Sequence, residues 1–251
     1  MSAAVDDALA AALDELCRRR PLLLASDYDG VLARLRDEPS AAVLEPGFED
    51  LLTRLAAVDG VTVALVSGRG VDDLKKTSGL TGPFRWVGSH GAEFDGPLAG
   101  ELAARRDELA AALAPLVEAV PGARLEVKPA SAAVHVRTVA DRAAAQRLLA
   151  DAAAGPGAAA GLTAKPGKDV LELAVTDADK GSALVRLRDE LGAAAVLYLG
   201  DDVTDEDAFR ALGAGDVTVK VGPGETAAGH RVDDLAGVRG LLERLVSALS
   251  A

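Results

Sequence analysis

Three short apolar runs, separated by stretches with a helical pattern, constrain the fold of this chain most strongly. They cover residues 22–26, 61–66 and 194–200, and a fourth strand is predicted over 217–221. Strands that are apolar at successive positions are typical of a parallel sheet covered on both faces. The predicted helices cover residues 3–19, 47–58, a segment ending near 76, 180–191, 204–212, and the chain after about 233. This alternation predicts an α/β fold with a mostly parallel sheet.

The middle of the chain has a different order of elements: helix, strand, strand, helix, strand, strand. The first four cover residues 100–119, 123–128, 132–138 and 141–153, and two short strands flank a predicted hairpin loop at 165–169. This order predicts a separate α+β unit inserted into the larger fold. We place the core at residues 1–97 and 178–251, and the inserted unit at residues 98–177.

Composition and charge exclude some classes of partner. The 251 residues include 39 acidic against 27 basic side chains, a formal net charge of −12. A surface of this sign repels nucleic acid and anionic lipid, so we expect neither nucleic acid nor membrane as a partner. The single cysteine, Cys17, excludes an internal disulfide. Because the first residues also lack the pattern of a signal peptide, we expect a soluble, cytoplasmic protein.

Two carboxylates, Asp27 and Asp29, end the first apolar run. Residues two apart on a strand point the same way, and ligands of open α/β sheets bind beyond the carboxyl ends of the strands. Two adjacent carboxylates repel each other unless a cation lies between them, and oxygen ligands suit Mg²⁺. One could then act as a nucleophile and the other as a general acid and base. The simpler alternative is a strand that ends in an Asx turn.

The second apolar run ends in Ser67, Gly68 and Arg69. A hydroxyl group, free backbone N–H groups and a following helix N-terminus favour a bound phosphate. Serine and glycine are also ordinary residues at a helix start, so this segment alone does not decide between the two interpretations.

Lys180 opens a predicted helix, where the helix dipole disfavours a cation unless an anion compensates it. A solvated helix start is the alternative for this lysine. Later in the chain, the stretch YLGDDVTDEDAF at 198–209 places five acids after a strand. Thr204 as N-cap would explain the three acids at 205–207. It does not explain Asp201 and Asp202. Together with the two acids that end the first apolar run, these two residues would form a carboxylate cage for one metal.

These strand-end groups, taken in chain order, resemble the motifs of the haloacid dehalogenase superfamily of phosphotransferases. The resemblance implies a Rossmann-like parallel-sheet core with an inserted α/β cap domain. It implies that Asp27 attacks phosphorus and forms an aspartyl-phosphate, and that Asp29 protonates the leaving group and then activates water. Ser67 would hold a phosphate oxygen, and Lys180 would neutralise charge on the nucleophile and the phosphate.

The same resemblance implies a Mg²⁺ site. Its ligands would be Asp27, Asp201 and Asp29, the last through its backbone carbonyl. Asp202 and Asp205 would lie behind these ligands and orient them.

Six stretches narrow the resemblance to the trehalose-6-phosphate phosphatase family. They are DYDGVL, VSGR, GSHGAEF, LEVKPASAAVHVR, DKGSAL and GDDVTDEDAF, and the similarity extends from about residue 20 to about residue 245. The resemblance implies a Mg²⁺-dependent phosphatase that hydrolyses trehalose 6-phosphate to trehalose and phosphate in trehalose biosynthesis. It also implies a functional link to a trehalose-6-phosphate synthase, and it matches the inserted unit to the cap that closes over the sugar.

The resemblance assigns sugar contacts to the inserted unit. Glu126 and Lys128, on one face of a strand, and Glu172 would contact the trehalose portion. The alternative for the first two is a surface ion pair of little energetic value. On the predicted next strand, Arg137 suits an anion, whereas His135 has a structural alternative.

The glycine-rich turn at residues 88–93 carries His90 and Glu93. The resemblance places this turn at the mouth of the active site and makes His90 a substrate contact. Both side chains could contact the ligand or only order the turn.

One departure from the family pattern is Val31, where the family usually has a threonine. Val31 is the single support for a catalytically silent sugar-phosphate sensor. A related phosphatase acting on sucrose 6-phosphate or a hexose phosphate is the nearest enzymatic alternative, and a phosphomutase is a third. The retained acids and Lys180 favour an enzyme, because a pure binder needs no nucleophile.

Overall fold

The computed structural model describes residues 6–36 and 38–250, and these residues form two compact units. The larger unit contains the chain up to Gly96 and from Ala178 onward, and the smaller unit is Pro97–Asp177. Each unit has its own β-sheet.

Eleven strands and eight α-helices lie within the described residues. The strands are β1 (Leu22–Ser26), β2 (Val61–Val66), β3 (Arg85–Gly88), β4 (Glu93–Phe94), β5 (Arg124–Lys128), β6 (Ser131–His135), β7 (Thr163–Gly167), β8 (Val170–Ala174), β9 (Ala195–Gly200), β10 (Val217–Val221) and β11 (His230–Val232). The helices are α1 (Asp7–Leu16), α2 (Phe48–Ala56), α3 (Val71–Ser78), α4 (Gly100–Glu118), α5 (Arg142–Ala154), α6 (Lys180–Leu191), α7 (Asp205–Ala211) and α8 (Leu235–Leu249).

The larger unit is built on a seven-stranded sheet in the order β11-β10-β9-β1-β2-β3-β4. All neighbours are parallel except β3 and β4, which are antiparallel. The parallel α/β fold predicted from the apolar runs is therefore confirmed.

Helices cover both faces of this sheet, which is why its central strands are apolar throughout. Side chains of β1 alternate between the two faces: Leu22 and Leu24 join the apolar cluster with α1, α2, α3 and α8, and Leu23 and Ala25 join the cluster with α6 and α7. Each face thus has its own closely packed core.

The strand order places a crevice at the carboxyl end of β1. The chain runs from β1 outward to β2 and β3, and later from β9 outward to β10 and β11 on the other side. The connections that leave β1 and β9 thus lead to opposite sides of the sheet. Open α/β sheets bind ligands at such a switch point. The strand ends that carry the predicted site therefore meet at one edge of the sheet.

The smaller unit has an antiparallel sheet in the order β5-β6-β8-β7. The helices α4 and α5 contact this sheet and bury apolar residues, among them Leu113 of α4 and Leu148 of α5. Because side chains alternate along a strand, the opposite face carries the polar residues Glu126, Ser131 and Glu172.

Several element boundaries differ from the predictions. The first helix was expected over 3–19 and is observed over Asp7–Leu16; residues 3–5 lie outside the described residues. The expected loop at 165–169 is shorter, because β7 continues through Gly167 and pairs with β8. The short strands β4 and β11 were not predicted.

Candidate active site

Asp27 lies directly after β1, and its carboxylate is buried. Its Oδ1 accepts the backbone N–H of Tyr28 at 2.6 Å, and its Oδ2 accepts a hydrogen bond from Lys180 Nζ at 2.7 Å. Burial raises the pKa of Asp27 to about 8, although the nearby Lys180 ammonium opposes this shift. A cation close to this carboxylate would favour its ionised, nucleophilic form.

Lys180, the first residue of α6, is also buried, with only 2% of its side chain exposed. Its Nζ lies 2.7 Å from Asp27 Oδ2 and 2.7 Å from Asp205 Oδ1. Burial lowers the pKa of Lys180, but the two carboxylates outweigh burial and raise it. The lysine is therefore a fixed positive charge beside Asp27, and not a solvated helix start.

Asp205 makes more hydrogen bonds within the site than its position at the start of a helix indicated. Its side chain is fully buried, and its Oδ1 also accepts the Tyr198 hydroxyl at 2.6 Å. Its Oδ2 accepts the backbone N–H groups of Asp201 and Asp202, each at 2.9 Å. Thr204 lies at the N-cap position of α7, as expected, but its side chain makes no capping hydrogen bond. Asp205 organises the loop between β9 and α7 instead.

Three carboxylates form a compact cluster at this edge of the sheet. Asp27, Asp201 and Asp205 each offer an oxygen, and these oxygens lie within 4.8 Å of one another. Burial raises the pKa of Asp201 to about 6, and the Asp205 carboxylate adds to this effect. A set of oxygen donors that repel one another in a buried place fits a hard divalent cation such as Mg²⁺.

Asp29 lies outside this cluster, because its carboxylate is paired with Arg69. Arg69 Nε and Nη2 donate to the two carboxylate oxygens at 2.7 and 2.9 Å. Nη1 of the same guanidinium lies 2.8 Å from Asp73, and the guanidinium also lies 5.7 Å from the centre of the Tyr28 ring. Hydrogen bonding to Asp29 raises the pKa of Arg69. The arginine thus fixes the carboxylate of Asp29 in one orientation.

Ser67 and Gly68 form the loop between β2 and α3. Ser67 is buried, and its hydroxyl oxygen accepts the backbone N–H of Arg69 at 3.2 Å. A Cβ atom on Gly68 would lie 2.6 Å from the ring of His90, so a side chain there would require the imidazole to move. The backbone N–H of His90 donates to the Ser67 carbonyl at 3.0 Å. The phosphate-binding segment predicted from the sequence is therefore joined to the turn that carries His90.

Glu93 holds this turn in place. Its buried carboxylate accepts the Ser89 hydroxyl at 2.7 Å and the backbone N–H of Val71, the first residue of α3, at 3.1 Å. His90 itself is exposed and adopts a left-handed φ of 57°. These two hydrogen bonds order the turn, which supports one of the two alternatives for Glu93.

Several of these groups line one cavity of about 510 Å³ in the larger unit. It is lined by Asp27, Asp29, Leu35, Arg36, Ser67, Gly68, Arg69, His90, Lys180, Asp201, Asp202 and Thr204. Asp202 is exposed. Leu35 and Arg36, on the loop after β1, were missed from the sequence, because no motif or periodic pattern marks that loop.

The polar sheet face of the smaller unit brings together three of the predicted sugar contacts. Glu126 and Glu172 lie on either side of Ala133 in the same row of the sheet. Lys128 Nζ donates to Glu172 at 2.8 Å, and His135 Nε2 lies 2.7 Å from Glu126. These side chains thus form two hydrogen-bonded pairs on one face.

Ser131 lies on the same face, whereas Arg137 lies outside the strands of the sheet. The Ser131 hydroxyl donates to Glu172 at 2.6 Å. Arg137 was expected on the strand of His135, but β6 ends at His135, and Arg137 is exposed beyond it.

The surroundings of Val31 account for a valine at the position where the family usually has a threonine. Its side chain is fully buried in the apolar core, and its backbone N–H faces the Tyr28 carbonyl at 3.4 Å. A methyl group at this position therefore gains apolar packing in place of a hydroxyl hydrogen bond.

A parallel sheet whose central strand ends in a buried Asp, paired with a lysine and part of a carboxylate cluster, gives this chain a fold of the haloacid dehalogenase type. A family model for trehalose-phosphatase matches residues 25–231. The chain belongs to the trehalose-phosphatase family, as the sequence motifs predicted.

Relatives and solved structures agree with this membership. The bifunctional trehalose-6-phosphate synthase/phosphatase of Thermoproteus tenax is 38% identical over 239 residues, which cover 91% of this chain and 32% of that protein. The trehalose-phosphate phosphatase of Mycobacterium marinum is 36% identical over 247 residues, covering 89% of this chain and 61% of that protein. The chain therefore spans less than two thirds of each of these relatives.

The fold is also similar to a solved structure of Aspergillus fumigatus trehalose-6-phosphate phosphatase. The TM-score is 0.75 at 26% identity, and the match covers 99% of this chain and 100% of that one. Among the helices of the described residues, none is long and apolar enough to cross a membrane.

Proposed function

We propose that this protein is a Mg²⁺-dependent phosphatase that hydrolyses trehalose 6-phosphate to trehalose and phosphate. The observation that carries the proposal is the Asp27 carboxylate, held by Lys180 at 2.7 Å and part of a carboxylate cluster, in a chain of the trehalose-phosphatase family. A pure binding protein would need no such buried nucleophile.

Asp27 attacks phosphorus, and the bond between phosphorus and the sugar oxygen breaks. Asp29, in its protonated form, gives its proton to the leaving oxygen, and Asp27 becomes an aspartyl-phosphate. Asp29 then takes a proton from water, which attacks phosphorus and restores Asp27. Lys180 and Ser67 hold charged oxygens throughout, because phosphoryl transfer depends mainly on positioning and electrostatics.

Asp27, Asp201 and the backbone carbonyl of Asp29 are the proposed ligands of Mg²⁺. Asp205 lies in the same cluster and supports the loop that carries Asp201, with Asp202 beside it. When bound, Mg²⁺ neutralises charge on the phosphoryl oxygens. The oxygen-only donor set supports Mg²⁺ over softer metals.

We assign recognition of the sugar to the polar sheet face of the smaller unit. Glu126, Lys128 and Glu172 offer charged groups for several sugar hydroxyls, and the exposed Arg137 suits an anionic group. His90, which lines the cavity of the larger unit, is a further proposed substrate contact.

A functional link to a trehalose-6-phosphate synthase belongs to the proposal. The relative from Thermoproteus tenax combines both activities in one protein by its name, and this chain spans 32% of it. The cytoplasmic location stays a prediction.

The test of the substrate is phosphate release, with Mg²⁺, from trehalose, sucrose, glucose and mannose 6-phosphates. Selective release from trehalose 6-phosphate is expected. Equal activity on all four would leave the chemistry in place and contradict the sugar assignment. Binding of trehalose 6-phosphate without release, by a folded protein that also binds Mg²⁺, would favour a sensor.

A further inference from the structure

The cavity around Asp27 carries charges of both signs. Four carboxylates and three permanent cations line it, and they are Asp27, Asp29, Asp201 and Asp202, against Arg36, Arg69 and Lys180. The acids outnumber the cations, and the whole chain has a net charge of −12. A phosphate monoester brings close to two further negative charges. Its approach is therefore unfavourable unless a cation is available to receive it.

Two of the three cations already have carboxylate partners. Lys180 is bound to Asp27 and Asp205 with only 2% of its side chain exposed. Arg69 is bound to Asp29 and Asp73 with 8% exposed. An incoming anion would have to compete with these carboxylates for either cation.

Arg36 is placed differently. It is exposed, lines the cavity, and forms no ion pair with any other residue of the described chain. It lies three residues after Ala33, which bridges to Leu44 at the base of the loop between β1 and α2. Its neighbour Arg34 is bound to Glu45 at 3.2 Å and does not line the cavity.

We propose that Arg36 captures the substrate by binding its phosphate group at the cavity before phosphorus reaches Asp27. The guanidinium suits a phosphate because it donates two parallel hydrogen bonds and, among the residues that the structure describes, has no ion pair to break. Leu35, 68% exposed and lining the same cavity, offers an apolar contact beside it. The inference rests on the proposed phosphatase activity and adds a binding residue outside the sequence motifs.

A capture residue has a kinetic signature of its own. Arg36 contributes to kcat/KM, because it favours encounter and binding, whereas kcat depends on Asp27, Asp29 and Lys180. Electrostatic capture also weakens as salt screens the charges. A loss of Arg36 should therefore lower kcat/KM and make it less sensitive to ionic strength.

The test compares Arg36→Ala with the matched variant Arg34→Ala, which removes the same charge from the same loop. Steady-state kinetics are measured at low and high salt on trehalose 6-phosphate and on p-nitrophenyl phosphate. We expect kcat/KM to fall about tenfold in Arg36→Ala and further in Arg36→Glu, with kcat within about twofold of wild type. Arg36→Lys should recover most of the loss, and Arg34→Ala should stay within about twofold of wild type.

The outcomes separate this inference from the proposed function. If wild type hydrolyses p-nitrophenyl phosphate but not trehalose 6-phosphate, the substrate assignment fails and the comparison is still made on the aryl ester. If it hydrolyses neither, calorimetric binding of inorganic phosphate with Mg²⁺ replaces kinetics, and Arg36→Ala should bind about tenfold more weakly than Arg34→Ala. Equal values for the two variants, or a loss confined to kcat, would overturn the inference.

Discussion

At the scale of single residues, the carboxylate of Asp205 connects the separate parts of the site. It accepts hydrogen bonds from Lys180, from the Tyr198 hydroxyl and from the backbone N–H groups of Asp201 and Asp202. All four donors depend on one side chain that water does not reach.

Replacing Asp205 with alanine should therefore be strongly destabilising. The variant leaves a buried ammonium group with one partner fewer and two N–H groups without theirs, which costs about 3–5 kcal/mol for a broken buried pair. Urea unfolding followed by circular dichroism measures this loss. The control is Asp207→Ala, an exposed acid in the same first turn of α7, expected within about 0.5 kcal/mol of wild type. Equal stability of the two variants would contradict this account of Asp205.

Arg69 is the second residue whose role depends on geometry. Lysine in its place keeps the charge but cannot make the two parallel hydrogen bonds to Asp29. We expect Arg69→Lys to lower kcat on trehalose 6-phosphate by about tenfold or more, with a smaller change in KM, because Asp29 loses its orientation. Asp73→Asn, which removes only the outer partner of Arg69, should have a smaller effect. A raised KM with kcat unchanged would instead indicate that Arg69 binds phosphate directly.

Residues at strand ends could be predicted from the sequence, and residues placed by loops could not. Asp27, Ser67 and Asp201 follow apolar strands, so the strand pattern alone brings them to one edge of the sheet. Asp205 has a sufficient local explanation as a helix-start acid, so the residue pattern alone did not indicate its buried contacts, and only the family resemblance placed it behind the metal ligands. Arg36 lies on an irregular loop, where neither periodicity nor a motif constrains the backbone.

At the scale of elements, the central strands were predicted accurately because burial on both faces makes them apolar throughout. The observed β1 and β2 cover the residues expected. Edge strands carry a weaker signal: β11 has three residues and is half-exposed, and β7 contains Pro166. Proline is tolerated there because β7 lies at the edge of its sheet.

The polar sheet face of the smaller unit yields a prediction about substrate preference. Glu172 accepts hydrogen bonds from Lys128 and Ser131, so its carboxylate is held ready for a sugar hydroxyl. We expect Glu172→Gln to raise KM for trehalose 6-phosphate about tenfold, since charged hydrogen bonds are the stronger ones. The same variant should leave hydrolysis of p-nitrophenyl phosphate unchanged.

The matched control is Glu108→Gln on α4, an exposed carboxylate on the helix that covers the other side of this sheet. This variant should change neither the KM for trehalose 6-phosphate nor the hydrolysis of p-nitrophenyl phosphate. An equal loss of activity on both substrates in Glu172→Gln would mean that the polar face does not recognise the sugar.

At the scale of the whole molecule, the chain is acidic, and oxygens of three of its carboxylates lie within 4.8 Å of one another. A ligand that binds only the folded state stabilises it by about 2.7 kcal/mol at a hundredfold excess over its Kd. Mg²⁺ should therefore raise the melting temperature measured by calorimetry. Asp201→Asn should abolish this increase, whereas Asp202→Asn should retain it. An unchanged melting temperature in the wild type at high Mg²⁺ would contradict a metal site in this cluster.

Asp27 is the residue that we propose attacks the phosphorus of trehalose 6-phosphate. The most direct measurement is phosphate release from that ester, with Mg²⁺, by wild type and by Asp27→Asn. Asparagine keeps the size of the side chain and replaces the nucleophilic carboxylate with a neutral amide, so we expect release by wild type and none by the folded variant. Continued release by Asp27→Asn at a comparable rate would contradict this role of Asp27.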